Sequence, residues 1–388
     1  MGARILDVWS HVSPRYGGVG PAAAGLAVAI GRKTGWHASM LAVCNPDEHE
    51  FSDGIPETVN VVRTWGVRGM GDARLKSGLA AAIAHCDVCH VHGLWLPHTI
   101  STRSMAHALN KPVLSSVHGM LERWELNNKR LKKALYSLFF ERPSLSKSHC
   151  LRALSEREAN DYRRYGLKNP IVIVPNGVAH LRRVPLESFF ARFPQLAGKQ
   201  IVLYLSRVHY KKGILKLLKA WPEVIGKCKE AHLLVAGPDY EHTLADAQAM
   251  VSSSRVENSV TFCGTISGDL KMAALSAARY FCLPSYSEGL SVAALEALSI
   301  GLPVVLTPEC NVDGVADCGA GVVTSNDPSQ LGDALSQCLR LSDSQWNAMS
   351  QAAVRLARER FDWDRIAESL RLAYLWMMGG PEPSCLVG

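Results

Sequence analysis

Short apolar runs alternate with longer amphipathic stretches along this chain, and the alternation begins twice. The first series places strands at residues 4–9, 38–43, 58–62, 87–92, 112–117, 150–154 and 171–174. Gly, Pro and Asn punctuate their flanks, and apolar residues fill consecutive positions, the pattern of strands covered on both faces. Strands of that kind separated by helices demand right-handed crossovers and a parallel sheet. A second series follows at 201–206, 231–237, 260–264, 280–284, 303–307 and 319–324, after an Arg- and Pro-containing connection at 180–199. A last helix is expected over 361–378, with Ile366, Leu370, Ala373 and Met377 on one stripe. The fold class is therefore α/β, with two Rossmann-like, doubly wound parallel-sheet domains in series. A length of 388 residues suits two cores better than one. Ligands of doubly wound sheets lie at the carboxyl ends of the strands, so a cleft faced by both domains is the expected site.

Hydrophobic residues make up 47% of the chain and charged residues 20%, which excludes a disordered polypeptide. The net charge of +7 suits an anionic partner and by itself admits nucleotide diphosphates, nucleic acid or acidic lipid. Eleven cysteines are scattered and odd in number, and Cys263 and Cys282 fall inside apolar runs, so reduced thiols in a cytoplasmic setting are expected. The chain opens directly into a strand rather than a signal peptide. No run reaches the roughly 18 apolar residues of a membrane span.

The most informative stretch runs from Pro284 to Pro303 (PSYSEGLSVAALEALSIGLP). A strand ends at Pro284, and a loop carries Glu288 and Gly289. Ser291 is a good N-cap for a helix that stops before Gly301. The amides of Leu290 and Ser291 are expected to point out of that helix N-terminus as an anion site. Carboxylates beside such a site, Glu288 before it and Glu296 one turn inside, would repel a phosphate unless each accepts hydroxyl hydrogen bonds, from a sugar on one side and a ribose on the other. The segment Ser206-Arg-Val-His-Tyr-Lys-Lys-Gly213 sends Arg207 and Lys212 from another strand end. Fixed cations of this kind stabilise a departing diphosphate. Lys211 is the adjacent alternative, and His209 is read as a bystander.

In the first half, Ser13-Pro-Arg-Tyr-Gly17-Gly18-Val-Gly20-Pro21 links a strand to a helix, with glycines that allow close backbone approach. It also fits a dinucleotide fingerprint, but the acidic partner expected about 20 residues on is not clearly placed, Asp47 being late. Two strand ends carry His-Gly: His90-Val-His92-Gly-Leu-Trp95-Leu-Pro97, and Ser115-Ser-Val-His118-Gly119.

The Glu288-to-Glu296 stretch resembles the E-x7-E signature of the retaining glycosyltransferases of family 4, which have the GT-B fold. Ser-x-x-Glu-Gly before it and Gly-x-Pro-Val-Val after it agree with that family. The resemblance implies that Glu288 contacts the donor sugar and Glu296 holds the ribose diol. It assigns Arg207 and Lys212 to the donor phosphates, Gly17 and Gly18 to a loop near those phosphates, and Gly237, Gly289, Leu290 and Ser291 to donor binding. His118 then hydrogen-bonds the donor sugar near the reacting centre, while His92 and Trp95 shape the acceptor side. Pro175-Asn-Gly-Val178 is also family-like, except that Ala179 replaces the usual acidic residue. On this resemblance residues 1–180 form an acceptor-side domain on which 362–388 packs back, and 181–361 bind the nucleotide sugar. Transfer would retain anomeric configuration, with no cofactor and no metal, because Arg207 and Lys212 supply the positive charge. The expected partners are a nucleotide-diphosphate sugar and a sugar or lipid-linked sugar acceptor, with no nucleic acid, in polysaccharide or lipid-linked oligosaccharide assembly. A nucleotide-sugar epimerase and a noncatalytic nucleotide-binding relative share the architecture and stand as the alternatives.

Three other patterns are set aside. Cys86 and Cys89 beside His90 and His92 lack a second ligand pair at zinc spacing. Asp362-Trp-Asp364 reads as a helix cap, and the ending at Cys385 is a poor prenylation box. The stretch 128–140 joins Lys129, Arg130, Lys132 and Lys133 to Leu131, Leu135, Leu138 and Phe139. It suits contact with an anionic membrane, on the inner face of the cell membrane for a cytoplasmic protein, and equally a core helix with a solvated basic rim.

Overall fold

A computed structural model describes residues 2–9, 19–44, 60–65, 73–128 and 130–387. The chain divides into two compact units, Met1–Gly177 with Phe361–Gly388, and Val178–Arg360. Each is built around one sheet.

In the first unit the described strands are β1 (Arg4–Trp9), β2 (His37–Cys44), β3 (Asn60–Trp65), β4 (Val88–His92), β5 (Val113–Ser116), β6 (Cys150–Ala153), β7 (Ile171–Ile173) and a short strand at Leu386–Val387. Their order across the sheet runs from the Leu386–Val387 strand through β7, β6, β5, β4, β1 and β2 to β3. All pairings are parallel except the Leu386–Val387 strand, which runs antiparallel to β7. That strand, anchored by Ile173 N–H donating to Cys385 O at 2.9 Å, is a use of the chain end that its composition did not suggest. Strands β4, β5 and β6 are buried at every position, the polar His90, His92, Ser115, Ser116 and Arg152 included, as strands covered on both faces are.

The final helix, Trp363–Met377, completes one face of this sheet. Ile366, Ala367, Leu370, Ala373 and Tyr374 join Ile5, Val88, Leu114 and Val172 of the strands and Leu26 and Ile30 of the Val19–Thr34 helix in one core. Met377, expected on the buried stripe, packs at the edge of this core only partly buried. Asp362 caps the helix, accepting from the amides of Asp364 and Arg365. Trp363 wedges between two glycines: a Cβ on Gly25 would lie 2.6 Å from its ring, and one on Gly177 would lie 2.4 Å from it. The other face buries Leu6, Val8 and Val91 under Leu79, Ile83 and Ala106.

The second unit holds β8 (Gln200–Leu205), β9 (Ala231–Ala236), β10 (Val260–Gly264), β11 (Tyr280–Leu283), β12 (Val304–Leu306) and β13 (Gly321–Val323), and the Leu386–Val387 strand becomes β14 in chain order. The sheet order is β10-β9-β8-β11-β12-β13, all parallel. In both units the strand order therefore reverses next to the unit's first strand, between β1 and β4 and between β8 and β11. Such a switch point is where helices leave the sheet on opposite faces and a crevice opens at the carboxyl ends.

Gly177→Ala is expected to destabilise the protein by about 1–3 kcal/mol, because the added methyl overpacks against Trp363. Denaturant unfolding followed by circular dichroism checks this, and Trp363→Leu should recover most of the loss if the clash is its source.

Candidate active site

The switch point of the second unit gathers most of the residues singled out from sequence. Past β8 the chain turns through Arg207 into a short helical turn, Tyr210–Lys212, and then to Gly213. Gly213 has φ 73°, and a Cβ there would lie 1.9 Å from Pro284 O, so only glycine lets this loop lie against the end of β11. Tyr286 N–H donates to Lys211 O at 2.8 Å, which stitches the two loops together. Lys212 Nζ in consequence donates to Glu288 Oε1 at 2.6 Å, and Ser285 Oγ donates to the same oxygen at 2.7 Å. Both side chains are nearly covered, at 11% and 12% exposure. Burial works to raise the Glu288 pKa, but the charge and hydrogen bond of Lys212, the Ser285 hydroxyl and the charge of Lys211 outweigh it and hold the carboxyl below its ordinary value.

Asn311 Nδ2 donates to Glu288 O at 2.6 Å and to Gly289 O at 3.3 Å, fixing the loop before the helix. Ser291 caps the Val292–Ser299 helix, its hydroxyl accepting from Ala294 N–H. The expectation that the Ser291 amide faces a ligand is corrected: it donates to Cys310 O at 3.1 Å, because the loop after β12 returns beneath the helix start. The Leu290 amide has no hydrogen-bond partner among the described residues. Gly237, at the end of β9, has φ 143° and would place a Cβ 1.9 Å from Ser206 O, so its smallness lets β8 and β9 end side by side.

Two expected residues have partners other than Lys212 and Glu288. Arg207 lies over the Tyr240 ring with 4.6 Å from guanidinium carbon to ring centre, and Tyr204 Oη donates to its carbonyl at 2.9 Å. Glu296 accepts from Lys271 Nζ at 2.7 Å. Lys271 and Tyr240 went unread in the sequence, since nothing in a single lysine or tyrosine announces a partner 25 or more positions away. His209 pairs with Glu241 at 3.0 Å and packs between Tyr210 and Tyr240, a structural setting.

In the first unit the switch point collects imidazoles. His92 ends β4, and His118 lies two residues past β5 in the left-handed region at φ 57°, a conformation that costs a non-glycine residue about 1 kcal/mol or more. His92 Nδ1 lies 2.9 Å from His118 Nε2, and His92 Nε2 lies 3.1 Å from Asp7 Oδ1 on β1. Trp9 stacks on His92 at 3.7 Å between ring centres. Burial, with help from neighbouring imidazoles and Arg152, pushes the pKa values of His92 and His118 well below the usual range, so both rings are neutral. His90 lies 2.8 Å from Tyr374 Oη and 2.7 Å from Ser116 Oγ. Asp7, His90 and His92 bring potential metal ligands within 4.8 Å of one another. Each ring nitrogen of the two histidines already has a hydrogen-bond partner, and the charge of Arg152 acts on the same site, so the cluster is built as a hydrogen-bond network.

The His118 turn is held from below. Buried Glu158 accepts from Gly119 N–H at 2.6 Å and from Leu154 N–H at 2.7 Å. Arg152, also buried, donates to the carbonyls of Val174 and Pro175 and to Asn176 Oδ1, which gives the Asn176-Gly177 turn a specific partner. Trp95 N–H donates to Glu141, and Glu141 pairs with Arg103 at 2.8 Å with both side chains fully buried. Arg103 donates in turn to Gly93 O. The Gly17 and Gly18 expectation lies outside the described residues.

Two doubly wound units in one chain are the architecture of the GT-B glycosyltransferases. Anabaena HepE, crystallised with UDP and glucose, matches it with a TM-score of 0.74 at 16% identity over 96% of this chain and 100% of that one. Residues 17–177 match the glycosyl transferase 4-like domain, and residues 199–341 match the glycosyl transferases group 1 family. The chain belongs to these group 1 glycosyl transferases, glycosyltransferase family 4, and is a glycosyltransferase with the GT-B fold. Among its relatives, the GDP-mannose:cellobiosyl-diphosphopolyprenol alpha-mannosyltransferase of Xanthomonas campestris is 23% identical over 86% of this chain and 84% of that one. Glycogen synthase of Mycobacterium tuberculosis is 26% identical over 98% and 97%.

Removing Lys212 leaves a covered carboxylate without its counter-charge, so Lys212→Met should lose about 3 kcal/mol at pH 7. Because the native Glu288 pKa is depressed, the pair stabilises the fold above the ordinary carboxylate pKa and ceases to do so as pH falls through the depressed value. The deficit of the variant should therefore narrow toward pH 3.5. Urea titrations at both pH values test this, and a deficit independent of pH would place its origin elsewhere.

Proposed function

We propose that this enzyme transfers a sugar from a nucleoside-diphosphate donor to an acceptor with retention of configuration and without a metal. The Lys212–Glu288 pair, on the loops that follow the adjacent strands β8 and β11, is the observation that carries this reading, and Arg207 belongs to the same loop as Lys212. A nucleoside diphosphate leaving group develops negative charge as its bond to the anomeric carbon breaks. Arg207 and Lys212 meet that charge as fixed donors, with no need of a divalent ion. Glu288, its charge secured by Lys212, accepts hydrogen bonds from sugar hydroxyls, and Glu296 accepts them from the ribose diol. His118 takes a further sugar hydroxyl. The acceptor hydroxyl attacks the face that the phosphate leaves, and the departing phosphate oxygen receives its proton. No covalent glycosyl-enzyme is invoked, since Glu288 Oε1 is already shared between Lys212 and Ser285. UDP in the HepE complex and GDP-mannose in the name of the Xanthomonas relative support a nucleotide-sugar donor.

The same reading places the acceptor in polysaccharide or lipid-linked oligosaccharide assembly, with the enzyme resting on an anionic membrane. No helix among the described residues is long and apolar enough to cross a membrane. The stretch expected as one helix is a helix over Arg130–Tyr136 followed by a π-turn at Ser137–Glu141. It leaves Leu131 82%, Leu135 62%, Leu138 59% and Phe139 65% exposed, beside exposed Arg130 and Lys132. This exposure favours a surface-seeking segment over a core helix with a basic rim. Lys129 lies outside the described residues.

Arg207→Ala and Lys212→Ala should each lower turnover by about two orders of magnitude, as expected for loss of a charge-stabilising donor. Near-normal turnover in both would remove them from the mechanism. Glu296→Ala should chiefly weaken nucleotide affinity, read by calorimetry. The wild type should sediment with anionic vesicles, and Leu131→Ser with Phe139→Ser should release it; equal binding by the double variant would exclude this segment as the contact.

A further inference from the structure

Asp7 is one residue whose burial the transferase chemistry above leaves unused. It sits in the middle of β1, in register with His90 of β4, and is 1% exposed. An ionisable group in that position is destabilising unless something uses its charge or its proton. Oδ2 is buried without a hydrogen-bond partner among the described residues, while Oδ1 lies 3.1 Å from His92 Nε2 and 3.3 Å from His90 Nδ1. From His92 the contacts continue 2.9 Å to His118. A file of Asp7, His92 and His118 thus runs from the sheet interior to a ring that is only partly covered. The outer nitrogen of that ring, Nδ1, has no hydrogen-bond partner among the described residues.

A neutral imidazole has one donor nitrogen and one acceptor nitrogen. With Asp7 ionised, Oδ1 accepts from His92 Nε2–H, so His92 Nδ1 is an acceptor. It must then receive the proton of His118 Nε2–H, and the outer nitrogen of His118 is left as an acceptor. Trp9 stacked on His92 stops that ring from turning out of line. The Gly119 amide held by Glu158 fixes the turn that presents His118. We infer that Asp7, acting through His92, decides which nitrogen of His118 carries the proton, and that Asp7 and His92 are positioning residues for the transfer. The consequence for catalysis rests on the proposal that His118 meets the donor sugar; the order of protons along the file does not.

The file also has a second state. A proton on Asp7 Oδ1 donates to His92 Nε2, the proton of His92 moves to Nδ1 and donates to His118 Nε2, and His118 then carries its proton on the outer Nδ1. One proton has entered, and the outward nitrogen has changed from acceptor to donor. Burial pushes the Asp7 carboxyl up to about 7 against the opposing charge of Arg152, so the exchange falls near neutrality. The titratable and charged groups facing Asp7 among the described residues are Cys89, His90 and His92 from β4, Arg152 from β6 and Tyr374 from the final helix. The histidines have pKa values well below their ordinary range, and Tyr374 and Cys89 well above theirs, so Asp7 is the member of the group that titrates there. Asp7→Asn, which can offer an N–H where protonated Asp7 offers O–H, should imitate the low-pH state.

The test uses the full-length protein with ¹⁵N-labelled histidine, the His118 signal being assigned by its loss in His118→Gln. At pH 8.5 the His118 ring should be the Nε2–H tautomer, and at pH 6 the Nδ1–H tautomer. Asp7→Asn should show the Nδ1–H form at both. Donor-dependent turnover of the wild type should change across the same interval, and Asp7→Asn should lose that pH step together with at least about tenfold in kcat at pH 8.5. A wild-type His118 that keeps one tautomer from pH 6 to 8.5, or one unaffected by Asp7→Asn, overturns the inference, and the first measurement needs no variant to fold. If the tautomers behave as described while His118→Ala retains full turnover, the proposed sugar contact fails and the proton order stands. Loss of turnover in His118→Ala with an unresponsive tautomer leaves the sugar contact standing and overturns the proton order.

Discussion

Both functional clusters follow from one constraint on parallel sheets. Every crossover must return over one face or the other, and the chain can change faces only where strand order reverses. At that place the helices diverge and the strand ends are left uncovered. In the first unit the reversal falls between β1 and β4, which carry Asp7, Trp9, His90 and His92. In the second it falls between β8 and β11, whose following loops carry Arg207, Lys212 and Glu288. Polar groups that would be intolerable elsewhere in these sheets are placed where the backbone itself opens.

The two clusters offset the cost of burying polarity differently. The second unit matches charge directly to charge, Lys212 to Glu288 and Lys271 to Glu296, and leaves Arg207 stacked on an aromatic face. The first unit, beside its buried Arg103–Glu141 pair, directs its buried charges at backbone. Arg152 takes carbonyls beyond β7, Arg103 takes Gly93 O, and Glu158 and Glu141 take the amides of Gly119, Leu154 and Trp95. These bonds hold two irregular turns, one with Trp95 and one with His118 at positive φ, that local sequence preference would not form. Rigid turns of this kind are what a group needs if its orientation is to matter chemically.

The central strands were legible because both their faces are buried, so their runs are mostly apolar and end near Gly, Pro or Asn. The Val292–Ser299 helix was legible because Ser291 and Gly301 punctuate it. The Glu288, Arg207 and Lys212 loops followed from their place just past such strands. What the sequence concealed are partners distant along the chain: Lys271 for Glu296, Tyr240 for Arg207, Arg103 for Glu141 and Tyr374 for His90. Asp7 was hidden for a second reason, since it interrupts an apolar run only once and a strand tolerates that without announcing a function. Ser291 misled because a capping residue has both a hydroxyl and an amide, and the loop carrying Cys310 takes the amide. The two-residue strand at Leu386–Val387 is too short for any periodicity to exist.

Trp363, lodged against Gly25 and Gly177, has a bearing on how the molecule comes into being. The second unit is an insertion within the first, since the first resumes at Phe361 after the second ends. During synthesis the N-terminal half emerges with Ile5, Val88, Leu114 and Val172 lacking the helix that covers them. The later-made unit is contiguous and has all of its own strands by Val323, so it is free to fold before its predecessor is finished. Birth order and completion order are thereby inverted: the segment translated first waits longest for its lid, with its apolar face open to chaperones or to misassociation until the ribosome has delivered the last few turns of helix.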